Sequence, residues 1–433
     1  MTACASSPND AVLYDDVGLP YVLRGPAIRP HRSDARARIF NVKYSPNLGD
    51  GLLSECLEQA LIESGAAADT WSVDLAGRTG YASGPEGRAM QMRVLHTLPD
   101  PLRRLAVRLP LAVQSRRLWR PHYRQALAEA DCAVIGGGNL ITDLDLNFPT
   151  KIGLVVEECA RRSLPVFVYG CGVSEHWSAR GRALLERALD RRVIRRVFVR
   201  DERSRHIWNE LAGTAWGLEA TPVRDPGLLA AERYGIPPRN ENDEPRPIGI
   251  NITSPIALRY HAREAPSPTE LEAWYLTLAN ALVKQGHRIA VFTNGSPEDR
   301  AEARRLRPAL QALSAHGAVS FPELSTPAEL TRFIAGLGAV AAFRMHAVIA
   351  AYSCGVPFLA LAWDPKLDAF LSSIDREQWL CRPLQVSGAA AAAQLLDAMR
   401  KGIPEPERRR VIGQARRGVI MLQDEIAREL TRP

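Results

Sequence analysis

The chain has 433 residues, too many for one ordinary hydrophobic core, and its 46% hydrophobic and 24% charged residues are typical of globular proteins. No apolar run reaches the roughly 18–20 residues that span a bilayer, which argues against an integral membrane protein. The formal net charge is +7, although only five of the 55 basic residues are lysines. Aromatic and basic residues do not alternate, so the charge predicts no nucleic-acid partner, whereas phosphates, acidic glycans or a membrane surface would fit it.

The first ten residues, MTACASSPND, contain neither a basic segment nor an apolar one, so we expect no secretory signal. The seven cysteines form no C-x-x-C pair, and several lie in apolar surroundings. These features predict buried free thiols in a cytoplasmic protein and no cysteine-based metal site.

Residues 1–35 are predicted to be irregular. Strands and helices then alternate, beginning with a strand over 38–44 and a helix over 52–65, and the alternation continues to about residue 234. A segment over about 76–125 interrupts it with a polar, glycine-rich part and basic helices that Pro110 and Pro121 are expected to break. Such alternation predicts a parallel sheet covered by helices on both faces.

Residues 235–247 are rich in proline and charge and predict a linker. The alternation restarts at residue 248 and continues to 385, and an Ala- and Arg-rich helical tail follows over 386–433. We therefore predict an α/β protein with two Rossmann-like, doubly wound domains, 36–234 and 248–385, facing across a cleft as in the GT-B architecture. Ligands of such sheets bind outside the carboxyl ends of the strands.

Arg344 and His346 interrupt an apolar stretch, AFRMHAVIAAYSCG, where a predicted strand ends and a helix begins. The free N–H groups and the dipole of a helix N-terminus favour an anion. A buried guanidinium needs a negative partner, which is either a carboxylate of the protein or an anionic ligand. His346 is likewise either a catalytic group or a hydrogen-bonded core histidine.

Other candidate turns also follow predicted strands. NLGDG (47–51) and GGGNLITD (136–143) contain glycines that permit tight turns or close approach of a ligand, but neither is a dinucleotide-binding or P-loop motif. VRDERS places Arg200 at a strand end, and WDPKLDAF sets Lys366 near another. NGSPED (294–299) is expected to contact an acceptor or the other domain. Each of these has a structural alternative, namely a helix cap, a plain turn or a surface ion pair.

Taken together, the motifs resemble those of the polysaccharide pyruvyl transferase family. NLGDGLL, GGGNLITD, FVRDERS, VRDPGLL, RMHAVIAAYSCG and WDPKLDAF follow one another in the order of that family's N-x-GD, GGG, VRD, DP, R-x-H and late-lysine elements, over about residues 38–375. The resemblance implies a GT-B-like fold and a transferase that moves the pyruvyl group of phosphoenolpyruvate onto two hydroxyls of a saccharide. Phosphate is released, a cyclic pyruvate ketal remains, and no metal or nucleotide cofactor is implied.

Within this resemblance, the cationic side chains are expected to bind the phosphate and carboxylate of the donor, because guanidinium groups match both oxyanions. A histidine suits the protonation of the donor's carbon 3, and either Asp50 or Asp143 would accept the proton of the attacking hydroxyl. The predicted catalytic residues are His346, Arg344, Asp143 and Asp50; the donor-binding residues are Arg200, Arg344, Lys366, Gly137 and Gly138; the acceptor-binding residues are Asn47 and Asn139.

Two other functions stay open on the sequence. A GT-B glycosyltransferase would use a nucleotide sugar and could hold its ribose with Asp364 or Asp368, and a degenerate family member would bind a saccharide or a protein without catalysis. The basic segment 102–124 has two interpretations as well. It either contacts the inner face of a membrane that carries lipid-linked saccharides, or forms an ordinary helical insertion with a solvated basic face.

Overall fold

The structure is a computed structural model of the chain. It describes residues 34–81, 111–143, 145–239, 245–261, 266–313, 317–362 and 365–432, and the backbone of two short strands nearer the N-terminus. Those strands, β1 (Val12–Tyr14) and β2 (Pro20–Val22), pair antiparallel. They lie within residues 1–35, which were predicted to be irregular. The sequence does not reveal them, because three-residue strands are too short to produce a recognisable periodic pattern.

A parallel sheet of six strands forms the centre of the N-terminal domain within the described residues. Its strands are β3 (Ala37–Asn41), β4 (Trp71–Asp74), β5 (Cys132–Gly136), β6 (Val166–Cys171), β7 (Ile194–Val199) and β8 (Ala220–Pro222). Their order is β4-β3-β5-β6-β7-β8, so the direction of winding reverses between β3 and β5. The turns NLGDG and GGGNLITD follow these two strands, which places both motifs at the position where doubly wound sheets bind ligands.

Helices cover this sheet, and several begin at side-chain caps. They are α1 (Leu48–Glu63), α2 (Arg120–Ala126), α3 (Asn147–Ala160), α4 (Ala179–Leu189), α5 (Glu202–Trp208), α6 (Thr214–Trp216) and α7 (Ala230–Arg233). Asn47, Ser178 and Asp201 each accept a hydrogen bond from a backbone N–H in the first turn of α1, α4 and α5, respectively. These caps satisfy N–H groups that have no partner inside the helix.

The C-terminal domain repeats this plan with a second parallel sheet of six strands among the described residues. Its strands are β9 (Ile248–Asn251), β10 (Ile289–Phe292), β11 (Val319–Ser320), β12 (Ala339–Ala342), β13 (Phe358–Leu361) and β14 (Leu380–Cys381). Their order is β11-β10-β9-β12-β13-β14, so the winding reverses between β9 and β12. Arg344 and His346 follow β12 and therefore lie at this second reversal point. The predicted pair of Rossmann-like domains with a GT-B-like arrangement is confirmed.

The helices of the second half include the predicted tail. They are α8 (Pro255–His261), α9 (Pro268–Lys284), α10 (Pro297–Ala312), α11 (Pro327–Ala335), α12 (Met345–Ser353), α13 (Pro365–Ser373), α14 (Gly388–Lys401) and α15 (Glu405–Leu430). Helix α14 packs on α9 and on strands β12 and β13, so it belongs to the C-terminal domain, whereas α15 crosses back to the N-terminal domain.

The expectation that Pro121 breaks a helix is wrong. Residues 111–114 are helical, a wider π-helical turn follows over Ser115–Trp119, and α2 continues directly from it. In the wide turn the N–H of Arg120 bonds to the carbonyl of Ser115, five residues earlier. This widening next to Pro121 relieves the clash that a proline ring normally causes with the preceding turn. Pro110 lies outside the described residues.

The two domains share an apolar core. Residues of the N-terminal sheet and α1, such as Ile39 and Leu57, belong to the same buried cluster as Leu330 and Val348 of the C-terminal domain and Ile426 of α15. A backbone hydrogen bond of 2.7 Å, from Leu48 N–H to the Asn294 carbonyl, also joins the domains. A large apolar interface restricts relative domain motion, so the structure holds the facing strand ends at a defined distance.

The prediction of buried free thiols is confirmed for the described cysteines. Cys56, Cys132, Cys159, Cys171, Cys354 and Cys381 are buried and unbridged. Cys4 lies outside the described residues, as do residues 240–244 of the predicted linker.

Candidate active site

His346 and Asp50 meet at the interface between the two domains. His346 is the second residue of α12, Asp50 is the third residue of α1, and 3.6 Å separates Nδ1 of the imidazole from Oδ1 of the carboxylate. That distance is too long for a hydrogen bond, so the two groups are neighbours without a direct bond. A Cβ on Gly49 would lie 2.5 Å from Cβ of His346, so only a glycine lets α1 approach the histidine this closely.

The surroundings shift the pKa values of these two groups in opposite directions. Burial, together with the positive charges of Arg200, Lys366 and Arg344, lowers the pKa of His346 to about 3. Burial raises the pKa of Asp50 to about 6, against the opposing effect of a hydrogen bond from Ser45. At neutral pH the imidazole is therefore uncharged and the carboxylate is mostly ionised. Nε2 of His346 is buried and has no hydrogen-bond partner in the described part of the chain.

Three cationic side chains lie near enough to the histidine to affect its pKa. Arg200 follows β7 and is 93% buried, Arg344 follows β12, and Lys366 lies in the first turn of α13. Each contributes to the lowered pKa of His346, so all three lie in its electrostatic surroundings. Nε of Arg200 donates a hydrogen bond of 3.3 Å to Asp201, so part of its charge is balanced locally.

Arg344 has a counter-ion that the sequence did not reveal. Its Nε and Nη2 donate hydrogen bonds of 2.9 and 2.6 Å to the same oxygen, Oδ2, of Asp299 near the start of α10. Asp299 is fully buried, and its other oxygen accepts a hydrogen bond of 2.8 Å from the Ser254 N–H. The carboxylate thus fixes one edge of the guanidinium. Nη1 makes no hydrogen bond to the described residues and is available to a ligand.

The structure distinguishes the two carboxylates that were candidates for the base. Asp143 accepts a hydrogen bond of 2.7 Å from the Ser178 N–H and packs against Gly181 in the first turn of α4. This contact gives Asp143 a structural role at a helix N-terminus. Of the two, Asp50 is the one that lies beside His346.

The predicted glycines and asparagines support the turns around these groups. Gly137 and Gly138 have φ values of 83° and 69°, and a Cβ on Gly137 would collide with Leu53 of α1. Backbone conformation and packing therefore explain these two glycines. Asn47 caps α1, while Asn139 donates a hydrogen bond of 3.2 Å to the Ser174 hydroxyl and keeps a buried Oδ1 without a partner in the described residues.

A model of the family described as polysaccharide pyruvyl transferase matches residues 47–365. The chain belongs to the polysaccharide pyruvyl transferase family. The matched segment begins at Asn47 and includes Asp50, Arg200, Arg344 and His346, and Lys366 follows one residue after its end.

Comparison with curated proteins gave no sequence match. Solved structures similar to this chain include the UDP-GlcNAc 2-epimerase of Methanocaldococcus jannaschii, with 10% identity and a TM-score of 0.49, covering 91% of this chain and 98% of that one. The UDP-GlcNAc 2-epimerase of Neisseria meningitidis has 12% identity and a TM-score of 0.48 with the same coverage. The ADP-heptose heptosyltransferase II of E. coli has 12% identity and a TM-score of 0.40, covering 84% and 99%.

The residues named for the alternative functions have the following positions. Asp368, a candidate ribose ligand, accepts a hydrogen bond of 2.6 Å from Arg382, and Asp364 lies outside the described residues. Where the structure describes the chain, no His, Cys, Asp and Glu side chains are grouped as a metal site would require. In the same residues no helix combines the length and the apolar character needed to cross a bilayer.

Proposed function

We propose that this pyruvyl transferase moves the pyruvyl group of phosphoenolpyruvate onto two hydroxyls of one saccharide and forms a cyclic ketal. The observation that carries the proposal is the convergence of Arg200, Arg344 and Lys366 on His346, whose Nε2 has no partner in the described residues. Family membership supports the reaction class, because it indicates pyruvyl transfer to a polysaccharide.

The charges of the donor suit this cluster. Phosphoenolpyruvate carries a phosphate and a carboxylate, and guanidinium groups bind both kinds of oxyanion with directed hydrogen bonds. Arg344 offers Nη1, since Asp299 holds its opposite edge. Arg200 reaches the cluster from the N-terminal domain and Arg344 from the C-terminal domain, so the donor would bridge the two.

The proposed chemistry begins with a proton on carbon 3 of the donor. His346 delivers it, and positive charge develops at carbon 2, which the first saccharide hydroxyl attacks while Asp50 accepts the hydroxyl proton. The C–O bond to phosphate then breaks, the second hydroxyl adds to carbon 2, and its proton leaves with the phosphate group. The proton held by Asp50 returns to His346, so one hydroxyl proton ends on carbon 3 and the catalyst is regenerated.

Calorimetric titration tests the donor assignment. The purified protein is titrated with phosphoenolpyruvate, and with UDP and GDP in parallel. We expect phosphoenolpyruvate alone to bind and the affinity to fall in Arg344→Ala/Asp299→Asn, which removes both members of the buried ion pair. Arg409→Ala is the matched control, because that arginine is 74% exposed on α15. Binding of a nucleotide but not of phosphoenolpyruvate would replace this proposal with a nucleotide-sugar glycosyltransferase.

A second measurement tests the role of the histidine. His346→Ala is expected to abolish acceptor-dependent phosphate release, measured over a panel of saccharides, and to leave donor binding largely intact. Normal turnover in this variant would show that another group protonates the donor.

A further inference from the structure

A groove with a net positive charge lies on the C-terminal domain, outside the cluster around His346. Helix α10 forms one wall and the loop after β11 forms the other; the charged lining residues are Arg300, Arg304, Arg307 and one carboxylate, Glu323, and Phe321 is among the apolar ones. The groove opens at the carboxyl ends of β10 and β11, the edge at which open α/β sheets bind ligands.

The three arginines share one face of α10 and are exposed. Their spacing of four and three residues places them in one row about 10 Å long. Arg300 donates a hydrogen bond of 3.0 Å to the Leu324 carbonyl, and the Arg307 guanidinium lies 4.9 Å from the ring centre of Phe321. None of the three forms an ion pair with a carboxylate of the described residues. The neighbouring Arg305 differs, because it pairs with Glu272 and Glu302.

The groove adjoins the candidate active site. Thr293 belongs to its lining, and the next residue, Asn294, accepts the hydrogen bond from Leu48 that joins the domains. The strand order puts β10 two positions from β12, so the groove begins about 10 Å from the strand end that carries Arg344. A ligand with its reactive end at His346 could therefore place a second group in the groove.

We infer that this groove binds an anionic group, a phosphoryl or a carboxylate group, carried by the acceptor saccharide at a distance from the hydroxyls that react. The inference rests on the proposed function, since the acceptor is a substrate of that reaction. Guanidinium groups without carboxylate partners suit the negative charge, and Phe321 with the apolar wall suits the body of the ligand. An acceptor of this class would be selected by charge as well as by its sugar.

The experiment titrates the full chain with inorganic pyrophosphate, with glucuronate and with neutral maltose, with phosphoenolpyruvate present at saturation. The test variant is Arg300→Gln/Arg304→Gln/Arg307→Gln. The matched control is Arg180→Gln/Arg182→Gln/Arg187→Gln, which removes the same charge from α4 of the other domain. We expect at least one of the two anions to bind beside phosphoenolpyruvate, at least tenfold more weakly in the test variant and within twofold of the parent in the control. The preferred anion identifies the class of acceptor.

Three results would overturn the inference: complete displacement of both anions by phosphoenolpyruvate, equal weakening in the test and control variants, or maltose binding as well as either anion. Unchanged phosphoenolpyruvate affinity in the test variant separates the groove from the donor site. A failure of phosphoenolpyruvate to bind the parent protein would contradict the proposed function instead, and anion binding in the groove can still be measured then.

Discussion

Binding of phosphoenolpyruvate is expected to load a proton onto His346. In the free protein, burial and the three neighbouring cations hold the pKa of this histidine at about 3, so its imidazole is neutral over most of the working pH range. A general acid must carry the proton that it delivers. Binding of the donor is expected to raise the pKa of His346, because its negative charges offset the positive charges of Arg200, Arg344 and Lys366.

The expected shift follows from Coulomb's law for an anionic group in contact with the imidazole. One negative charge about 4 Å from the ring is worth about 4 kcal/mol at an effective dielectric constant of about 20. That energy corresponds to about three pKa units, which moves the pKa of His346 from about 3 to about 6. The second anionic group of the donor adds to the shift. At pH 6 we therefore expect His346 to take up about half a proton or more when the donor binds.

Calorimetry in buffers with different ionisation enthalpies measures this uptake, since the observed enthalpy changes in proportion to the protons exchanged. Asp50, with a pKa of about 6, also responds to the donor, so the parent protein is compared with His346→Ala and with Asp50→Asn. The uptake in the parent should exceed that of His346→Ala by about half a proton. Equal uptake in these two proteins would refute the reasoning and leave His346 neutral in the complex.

Three further predictions concern residues around the site. Arg344→Ala should lower the free energy of unfolding by about 3 kcal/mol, because the buried Asp299 loses its counter-charge, and adding Asp299→Asn should restore part of that stability. Urea denaturation measures both variants, and no restoration in the double variant would contradict a stabilising Arg344–Asp299 ion pair. Asp143→Ala should cost about 1 kcal/mol of stability and leave turnover intact, whereas Asp50→Asn should stop turnover in a folded protein. Loss of turnover in Asp143→Ala but not in Asp50→Asn would make Asp143 the base instead. Gly49→Ala should reduce turnover at least tenfold, because its Cβ would lie 2.5 Å from Cβ of His346. A fully active variant would show that α1 can shift without loss.

Much of the architecture could be predicted from the sequence because its signals are local. Buried strands followed by turns and amphipathic helices recur in both halves, and the turns around Asp50, Arg200 and Arg344 come where strands end. Carboxyl ends of parallel strands share one edge of a sheet, so the positions of these residues after strands were enough to predict that they face a common cleft.

The contacts that complete the site depend on packing that no local pattern records. Asp299 reaches Arg344 although the strands before them, β10 and β12, are separated by β9, and the two residues are 45 positions apart. Asp143 and Asp50 both follow a strand in a glycine-containing turn. Only the position of α4 shows that the Asp143 carboxylate accepts a hydrogen bond at the N-terminus of that helix. The uninterrupted helix at Pro121 likewise depends on a π-helical turn that no sequence pattern predicts.

The return of α15 to the N-terminal domain has a consequence for biosynthesis. Gly418 lies against the hydroxyl of Tyr169 in β6, and Ile426 closes the same apolar cluster as Ile39 near the start of the first domain. A ribosome makes Ile426 long after Ile39, because α15 follows the whole second sheet in chain order. The first domain therefore emerges with an apolar surface that stays uncovered until α15 has been made. That surface is where a chaperone would act on the nascent chain, and a premature stop before α15 would leave it permanently exposed.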